Sequence, residues 1–356
     1  MSQIANTKLR ILITTDSWRP QINGVVRTLE TLCWELESMG HNVRVIEPGQ
    51  FRTIPCPTYP EIRLAFMASQ KVSRIINEFA PTSIHIATEG PLGLAARRHC
   101  MRSGLNFTTS FHTRFPEYVY ARTRLPLAWT YKFLLWFHGR ASTIMVATRS
   151  LKEELTQYGF ANIKNWSRGV DLNFFFPRDD KSWFPFERPI WLYVGRIAIE
   201  KNVKSFLDLS LEGTKVLVGD GPQRRQLQNE YPKARFVGPK HGEELSQHYA
   251  ASDVLIFPSR TDTFGLVIIE ALASGVPVAA YPVQGPADII DTAPVGILDE
   301  DLEAAARRAL REINPELCRA HALHYSWRAS AQQFLSNVVP TKTTGSALRV
   351  KSLSAS

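Results

Sequence analysis

The sequence predicts an α/β protein with two parallel-sheet domains that face each other across a cleft, and three observations carry this prediction. In the first half, short apolar segments alternate with amphipathic ones: LRILITTD at 9–16 is followed by an apolar stripe from Val25 to Met39. A second series of strand-like segments begins at residue 189. Between the two series, residues 177–189 are charged, aromatic and rich in proline, which is typical of a linker. Strands that alternate with helices favour parallel sheets joined by right-handed crossovers.

The expected strands are short apolar segments, most of them bounded by turn-forming residues. After 9–16 they are 41–48, 83–88, 107–111 and 143–148 in the first half, then 189–196, 215–221, 234–238, 253–259 and 276–281. We expect residues 1–180 to form an amino-terminal domain and 181–325 a carboxy-terminal domain. A helix at about 326–340 is expected to pack back on the amino-terminal domain, and the Ser/Thr-rich tail 341–356 to be disordered.

Composition and charge narrow the class of protein. The 356 residues are 44% hydrophobic and 21% charged, which is a globular composition, and the net charge of +9 implies attraction to an anionic partner. Nucleic acid, an acidic membrane surface and phosphorylated small molecules all remain open at this point. The four cysteines are scattered, which favours reduced thiols in a cytoplasmic protein. The most apolar window, 265–283, contains Glu270, Pro277 and Pro282, so we expect no membrane span.

The loop after the first strand has the features of a phosphate site. Asn23 is a good N-cap for the following helix, and Gly24 lets a ligand approach the backbone closely. A helix that starts at the carboxyl end of a parallel strand presents unpaired N–H groups to an anion. An ordinary strand-to-helix turn is the alternative interpretation.

The second domain repeats this arrangement with two cations. In VGRIAIEKN, Gly195 and Arg196 end a strand and Lys201 begins the next helix. An Arg fork and a compact Lys charge suit a diphosphate, and one such contact to a departing phosphate contributes roughly 3–4 kcal/mol. Solvated surface charge is the alternative, but a strand-terminal Gly usually marks close approach of backbone.

Other motifs argue against a bound dinucleotide or metal. VGDGPQ at 218–223 lacks the third glycine of a dinucleotide fingerprint, and the chain has no Walker loop. Asp299-Glu300-Asp301 has an Asp-x-Asp pattern, which we interpret as the start of a helix over 301–311. We therefore expect no metal and no other cofactor.

The stretch SRTDTFGLVIIEALASG at 259–275 contains two carboxylates, one on either side of an apolar segment. Asp262 lies just before an expected helix start at 264–265, and Glu270 lies within the helix, so the two are separated by about 10 Å along the axis. This distance is too long for a shared proton. It suits a ligand with hydroxyl groups at both ends and phosphates between them, such as a nucleotide sugar. The alternative is that Glu270 faces solvent on an amphipathic helix.

Over nearly its whole length the chain resembles the retaining glycosyltransferases of family 4, which have the GT-B fold of two Rossmann-like domains. The strongest matches are Asp262…Glu270, where the family has Glu-x7-Glu, the Gly-Arg…Glu-Lys-Asn motif at 195–202, and GDGP at 219–222. TDSWRPQINGV, ATEGPLG, FHTRFPEY and WSRGVDLNFF are similar to the branch of GDP-mannose-dependent mannosyltransferases and of synthases of sulfoquinovosyl and other glycosyl diacylglycerols.

The resemblance implies a role for each site residue. Arg196 and Lys201 would bind the donor diphosphate and Glu270 the ribose hydroxyls, while Asp262, shorter than the usual Glu, would contact the hexose and leaves the choice of sugar open. His112 matches a family histidine near the donor sugar, although a single histidine after a strand is more often structural. The implied catalytic residues are His112, Arg196, Lys201 and Asp262, and the donor-binding residues are Gly24, Gly195, Arg196, Lys201, Asp262, Phe264, Gly265, Leu266 and Glu270.

Such enzymes are thought to keep the anomeric configuration by a front-face displacement, in which the leaving phosphate helps to deprotonate the acceptor. A nucleophile and a metal are then unnecessary. Asp171, in the RGVD motif, is interpreted as a turn former rather than a catalyst.

Segment 114–140 interleaves five cations with eight aromatic residues and one acid, which suits a surface lying on anionic lipid. A core helix with Leu134, Leu135 and Phe137 inward is the alternative, and both can hold together. The residues expected at this membrane and acceptor surface are Arg114, Tyr118, Arg122, Arg124, Trp129, Lys132 and Trp136.

The function expected from these features is transfer of a hexosyl or uronosyl unit from a UDP- or GDP-sugar to a lipid acceptor, with diacylglycerol favoured. The enzyme would be cytoplasmic and peripheral on the inner face of the plasma membrane. A GDP-mannose-dependent α-mannosyltransferase acting on a soluble or polyprenyl-linked glycan is the alternative. A non-enzymatic nucleic-acid-binding protein is disfavoured, because the most specific cations lie at strand ends facing the expected cleft rather than on one reading element.

Overall fold

The computed structural model describes residues 8–21, 23–56, 59–112, 126–179, 181 and 184–342, without the side chains of 59–61. This part of the chain forms two six-stranded parallel sheets and one antiparallel hairpin, with helices packed on the parallel sheets. The predicted α/β class with two parallel-sheet domains is confirmed. The predicted strands are all present, each somewhat shorter than expected.

The first sheet and its hairpin occupy the first half of the chain. The strands are β1 (Arg10–Thr14), β2 (Asn42–Ile46), β3 (Thr53–Cys56), β4 (Tyr59–Ala65), β5 (Ser83–Ile86), β6 (Thr108–Phe111), β7 (Thr143–Val146) and β8 (Ile163–Asn165). The helices are α1 (Gly24–Ser38), α2 (Ser69–Phe79), α3 (Pro91–Ser103), α4 (Leu127–His138) and α5 (Arg149–Gln157). The sheet order is β2-β1-β5-β6-β7-β8, and β3 pairs with β4 in the hairpin.

The second sheet begins after the linker. The strands are β9 (Ile190–Val194), β10 (Thr214–Val218), β11 (Arg235–Gly238), β12 (Val254–Phe257), β13 (Val278–Ala280) and β14 (Gly296–Leu298). The helices are α6 (Val203–Leu207), α7 (Arg224–Glu230), α8 (Gly242–Ala251), α9 (Leu266–Ala273), α10 (Gln284–Ile290), α11 (Leu302–Glu312), α12 (Pro315–Ala322) and α13 (Trp327–Asn337), and short 3-10 turns span Pro48–Gln50 and Ile199–Lys201. The sheet order is β11-β10-β9-β12-β13-β14.

Local sequence explains the first strand and helix. Ile11, Leu12 and Ile13 of β1 are fully buried, which their continuous apolar run predicts for a parallel strand covered on both faces. The side-chain oxygen of Asn23 accepts hydrogen bonds from the Val25 and Val26 N–H groups, both at 3.0 Å. The predicted N-cap is therefore confirmed, and it sets the start of α1 at the carboxyl end of β1.

Both parallel sheets are covered on both faces. In the first sheet, apolar residues of α1 and α13 pack on one face, and those of α2, α3, α4 and α5 pack on the other. In the second sheet, α8, α9, α10 and α12 cover one face, and α6, α7 and α11 cover the other. Each sheet therefore has its own core, and only its edges and loops are left to contact a ligand.

Helix α13 follows the second sheet in the chain but packs against the first. Phe334 and Ala331 are buried in the same cluster as Leu29 of α1, and the Trp166 indole N–H donates to Ser330 Oγ at 3.1 Å. The N–H of Thr341 donates to Thr82 O at 2.9 Å, while residues 343–356 of the expected disordered tail lie outside the described residues. The domain boundaries remain a prediction, with which this packing is consistent.

Candidate active site

The two sheets meet at the loops that follow their strands. In each sheet the connections diverge between two neighbouring strands, β1 and β5 in the first and β9 and β12 in the second. Crevices at the carboxyl ends of such strands are the usual ligand sites of α/β folds. The two crevices face each other, because Thr263 Oγ1 in the second domain donates to the main-chain oxygen of His112 in the first, at 2.7 Å.

The loop after β9 carries Gly195 and Arg196, and the GDGP turn supports it. A Cβ atom on Gly219 would lie 1.9 Å from the main-chain oxygen of Gly195, so only glycine permits this contact. The Tyr193 hydroxyl donates to the main-chain oxygen of Arg196 at 2.7 Å. The GDGP motif therefore has a packing role, which fixes the backbone around Arg196.

Lys201 and Asp262 form an ion pair between the loops after β9 and β12. Lys201 Nζ contacts Asp262 Oδ1, and the two side chains are 23% and 18% exposed. Thr261 Oγ1 donates to the main-chain oxygen of Glu200 at 3.1 Å and joins the same loops. The structure therefore brings together the cation expected at the diphosphate and the carboxylate expected at the hexose. The sequence analysis did not predict this direct pairing.

The amino-terminal ends of α1 and α9 lie next to each other across the cleft. Gly265 has φ +93°, a conformation that favours glycine, and α9 begins at the next residue, Leu266. A Cβ atom on Gly24, the first residue of α1, would lie 3.7 Å from Leu266 Cδ1. The first residues of the two helices are therefore neighbours in the cleft, and backbone N–H groups at helix starts suit an anion. The side chain of Phe264 is buried in the core, so its backbone is the part available to a ligand.

Glu270 is buried and holds a partner at each carboxylate oxygen. It is 3% exposed, which rules out the solvent-facing alternative. Its Oε1 lies 2.6 Å from Nη1 of Arg27, and its Oε2 accepts a hydrogen bond from the Tyr249 hydroxyl at 2.8 Å. Burial raises the pKa of Glu270, while Arg27 and the Tyr249 hydrogen bond oppose that rise.

The sequence analysis missed both partners of Glu270. Arg27 did carry a signal, because it lies in the first turn of α1, where a cation opposes the helix dipole. A cation in that position indicates a partner outside its own helix. Tyr249 lies on α8, and its local sequence carried no signal of this contact.

His112 follows β6 and is enclosed. Its Nδ1 lies 3.3 Å from Nη2 of Arg168, and its ring packs edge-on against Trp166. Burial, and then the positive charge of Arg168, lower the pKa of His112 well below 6.5. His112 lies at the carboxyl end of β6 and contacts the loop after β12 through Thr263. Arg168 was also missed, although the RGVD motif that contains it was noted.

Two further carboxylates lie at the carboxyl ends of β1 and β5. Asp16 is buried and accepts hydrogen bonds from the Leu92 N–H at 2.8 Å and the Thr88 hydroxyl at 2.9 Å. Glu89 is partly exposed, and its Oε1 lies 3.1 Å from Nε2 of the buried His138. Asp16 therefore fixes the turn that holds Glu89 at the cleft. The ATEGPLG motif was the available signal, but the sequence analysis assigned no role to its acid.

The predicted membrane surface is described in part. Trp129, Lys132 and Trp136 are exposed on α4, with the two indoles 69% and 54% exposed. Leu134 and Phe137 are buried on the opposite side, as the core-helix alternative has them, whereas Leu135 is 36% exposed, so that alternative is wrong for Leu135. The helical period explains this. Leu134 and Phe137 are three residues apart and lie on one face of α4, whereas Leu135, next to Leu134, lies on a different side of the helix.

Four residues of the predicted surface, Arg114, Tyr118, Arg122 and Arg124, lie outside the described residues. None of the described helices combines the length and apolarity needed to cross a membrane.

The acidic run before α11 caps that helix. Asp301 Oδ1 accepts hydrogen bonds from the Glu303 and Ala304 N–H groups, both at 3.0 Å, which confirms the helix-start interpretation. Asp171 Oδ1 similarly accepts from the Asn173 N–H at 3.0 Å, as expected of a turn former. Within the described ranges no group of three or more His, Cys, Asp or Glu side chains could hold a metal ion.

Two parallel sheets that face each other across a cleft, with the buried carboxylate of Glu270 between them, are the architecture of the GT-B glycosyltransferases, and the comparisons with known proteins place the chain among those that use nucleotide sugars. The chain belongs to the family 4 glycosyltransferases. Residues 22–174 match the family described as Glycosyltransferase Family 4, and residues 188–314 match the one described as Glycosyl transferases group 1.

Named relatives cover most of the chain. It is 30% identical over 321 residues to a GDP-mannose-dependent alpha-mannosyltransferase of Mycobacterium tuberculosis, and the aligned region spans 82% of this chain and 83% of that protein. It is 29% identical over 354 residues to sulfoquinovosyl transferase SQD2 of Arabidopsis thaliana, across 87% and 69% of the two chains. An alpha-monoglucosyldiacylglycerol synthase of Streptococcus pneumoniae is 26% identical over 323 residues, across 77% and 71%.

The fold is similar to that of solved enzymes. Sucrose-phosphate synthase from Thermosynechococcus elongatus superimposes with a TM-score of 0.75 at 20% identity, across 92% of this chain and 98% of that one. At this identity the likeness shows the fold alone, and it confirms the GT-B architecture.

Proposed function

We propose that this protein is a retaining glycosyltransferase that moves a hexosyl or uronosyl unit from a nucleoside-diphosphate sugar to diacylglycerol at the cytoplasmic face of the membrane. The observation that carries the lipid acceptor is the exposed face of α3 and α4. These two helices contain no Asp or Glu, and their exposed residues include Arg98, Arg102, Trp129, Lys132 and Trp136.

The two helices act as one surface. Arg97 of α3 donates through Nε and Nη2 to the main-chain oxygens of Phe137 and Trp136, at 2.9 and 2.8 Å. Its guanidinium carbon lies 4.0 Å from the centre of the Trp136 ring, which holds that indole at the surface. Exposed indoles beside cations suit the headgroup region of an anionic bilayer, where each basic group adds about 1 kcal/mol.

The donor would lie between the helix N-termini and the Lys201–Asp262 pair. Glu270 would accept hydrogen bonds from the ribose hydroxyls, and Lys201 and Arg196 would bind the diphosphate. Asp262 would contact the hexose, so a bound donor would take both members of the pair as partners. The N-terminal ends of α1 and α9, at Gly24 and Leu266, would face the phosphates.

The chemistry needs few groups from the protein. The leaving phosphate would take the proton of the acceptor hydroxyl as that oxygen attacks the anomeric carbon from the same face, which retains the anomeric configuration. Lys201 and Arg196 would stabilise the charge that grows on the phosphate. No cofactor is required by this mechanism. Glu89, held by His138 at the carboxyl end of β5, would accept a hydrogen bond from the incoming acceptor.

The second candidate function is GDP-mannose-dependent α-mannosyl transfer to a soluble or polyprenyl-linked glycan. The name of the relative from Mycobacterium tuberculosis, at 30% identity, supports it. The two candidates share the donor site described above and differ in the donor base, the hexose and the acceptor. They also differ in whether a bilayer is needed.

One experiment separates the candidates. The purified protein is incubated with a panel of UDP- and GDP-sugars, with diacylglycerol vesicles or soluble glycans, and products are resolved by mass and their anomer by NMR. An α-glycosyl diacylglycerol from an α-linked donor supports the proposal, and mannosyl transfer to soluble glycan supports the second candidate. A melting temperature raised by duplex DNA and not by nucleoside diphosphates would exclude both.

A further inference from the structure

His112 is fixed from three sides. Its main-chain oxygen accepts the hydrogen bond from Thr263 Oγ1, at 2.7 Å, and its ring lies 5.6 Å from Trp166. Its Nδ1 lies 3.3 Å from Arg168 Nη2, within hydrogen-bonding geometry. Its Nε2 is buried and has no hydrogen-bond partner among the residues that the structure describes.

The Arg168 contact decides which ring nitrogen of His112 carries the proton. A guanidinium group only donates hydrogen bonds, so Nδ1 of His112 must accept, and the proton of a neutral ring must lie on Nε2. The lowered pKa of His112 keeps the ring neutral. Nε2–H is then a buried donor without an acceptor in the described part of the chain, which is costly unless a ligand supplies one.

Arg168 is itself buried and held by several contacts within the protein. It is 4% exposed, and its Nη1 donates to the main-chain oxygens of Trp166 and Ser167, at 2.6 and 3.3 Å. Its guanidinium lies 4.3 Å from the Trp166 ring centre. Its hydrogen-bond partners among the described residues are Trp166, Ser167 and His112, none of them a carboxylate, and burial lowers its pKa to about 9. Burying a cation without a carboxylate partner costs free energy, and the other terminal guanidinium nitrogen, Nη2, lies against His112.

We propose that Arg168 is a positioning residue that keeps the proton of His112 on Nε2, so that His112 donates a hydrogen bond to a hydroxyl group of the transferred sugar and does not act as a base. The role of the sugar rests on the proposed function. The state of the ring does not, because it follows from contacts within the protein. Arg168 reaches His112 from the segment after β8, so neighbouring elements of the first domain set the geometry before any donor binds.

NMR of the full-length protein labelled with ¹⁵N-histidine tests the ring state. The His112 signals are assigned by their loss in His112→Asn. We expect the neutral Nε2–H form at neutral pH in the wild type and in Arg168→Lys, whose ammonium group still donates. Arg168→Met removes the donor, and we expect a mixture of the two neutral forms. An Nδ1–H form or an imidazolium in the wild type, or an unchanged ring in Arg168→Met, would overturn the proposal.

Kinetics test the consequence for the sugar. Loss of one oriented hydrogen bond in Arg168→Met should lower kcat/KM for the donor by about tenfold. Binding of the bare nucleoside diphosphate should stay within about twofold, because the proposed contact is to the sugar. Arg168→Lys should recover most of the activity. Arg308→Met is the matched control, because Arg308 is 45% exposed and lies on α11.

The outcomes separate the two proposals. Equal loss of nucleoside diphosphate and nucleotide-sugar binding in Arg168→Met would show a structural role and overturn the positioning role. Melting temperatures of both Arg168 variants show whether each is folded. A wild type that transfers no sugar from any donor would contradict the proposed function, while the NMR result would still decide the ring state.

Discussion

Arg27 and Glu270 join the two domains through a contact of 2.6 Å between Nη1 and Oε1. Arg27 lies in the first turn of α1 and Glu270 within α9, so the pair closes the cleft between helices that belong to different sheets. The Glu270 side chain is 4% exposed and that of Arg27 is 40% exposed, so the cation reaches in from the rim of the cleft. The carboxylate proposed to bind the donor ribose is thereby held by both domains.

Replacing Arg27 with Ala should weaken both the fold and donor binding. The buried Glu270 would keep only the Tyr249 hydrogen bond, and its pKa would rise further because burial would be less opposed. We expect a loss of about 1–2 kcal/mol in the free energy of unfolding, at the low end for a buried pair because Arg27 is partly solvated. A carboxyl that is more protonated accepts fewer hydrogen bonds from ribose, so the donor KM should rise about fivefold.

Urea unfolding and steady-state kinetics measure these two effects. Arg149→Ala is the control, since Arg149 is 84% exposed and pairs with Glu153 within one helix. An Arg27→Ala protein with wild-type stability and wild-type donor KM would show that the contact has no energetic role.

Lys201→Ala and Glu270→Gln should each lose most transfer activity while remaining folded. Lys201 would no longer stabilise the departing phosphate, and the expected fall in kcat is about a hundredfold. Glu270→Gln would lose mainly donor affinity, because a neutral amide binds two hydroxyl groups less strongly. The measurement is initial rate against donor concentration, with the exposed Lys152→Ala as control. A wild-type kcat in Lys201→Ala, or a wild-type donor KM in Glu270→Gln, would rule out the corresponding donor role.

The sequence predicted most of the strands, the helix cap and the spacing of site residues, because each of these depends on residues that are close together in the chain. The buried runs of β1 and β9, the Asn23 cap and the spacing of Lys201, Asp262 and Glu270 were all readable from the sequence. The strands it missed are weak locally: β8 and β14 have three residues each, and β3 and β4 contain prolines, which disfavour strands.

The partners of the site residues could not be predicted in the same way. Arg27 meets Glu270, and Arg168 meets His112, only because separate elements pack together. The identity of each partner depends on tertiary packing. The one signal in the sequence was Arg27, a cation in the first turn of α1, where it opposes the helix dipole. The burial of Glu270 likewise follows from α8 packing on α9, through Tyr249.

Asp262→Glu should change the choice of sugar. Asp262 is short and already paired with Lys201, so one added methylene would carry the carboxylate further toward the hexose. We expect the ratio of kcat/KM between two hexose donors that share a base to change about fivefold, which is within the range of one altered contact. Affinity for the free nucleoside diphosphate should not change. An unaltered ratio across a panel of sugars would show that Asp262 does not contact the hexose.

Anionic vesicles should bind the protein through α3 and α4. Lys132→Ala and a Trp129→Ala/Trp136→Ala protein should each co-sediment less with anionic vesicles, and binding of the wild type should weaken with salt. Trp34→Ala is the matched control, because Trp34 is 65% exposed but lies on α1, which covers the opposite face of the first sheet. Equal binding of the wild type to neutral and anionic vesicles would contradict electrostatic docking.

Asp16 should make stability depend on pH. Burial raises its pKa from 3.8 to about 6, against the hydrogen bonds from the Leu92 N–H, Thr88 hydroxyl and Gly93 N–H. Between these two pKa values the folded state binds the proton more tightly than the unfolded state does. The contribution of Asp16 is therefore greatest below about pH 4 and is lost as pH rises through about 6, by up to about 3 kcal/mol.

Asp16→Asn isolates this contribution, because Asn does not titrate. The free energy of unfolding of the wild type minus that of Asp16→Asn should fall as the pH is raised from about 4.5 to about 7.5, since only the wild type must ionise a buried carboxyl. Urea titrations at several pH values give the difference, and Asp208→Asn serves as the control because the Asp208 side chain is 53% exposed. A difference that grows with pH would mean that Asp16 is stabilised as the carboxylate, with the N–H groups of α3 outweighing burial.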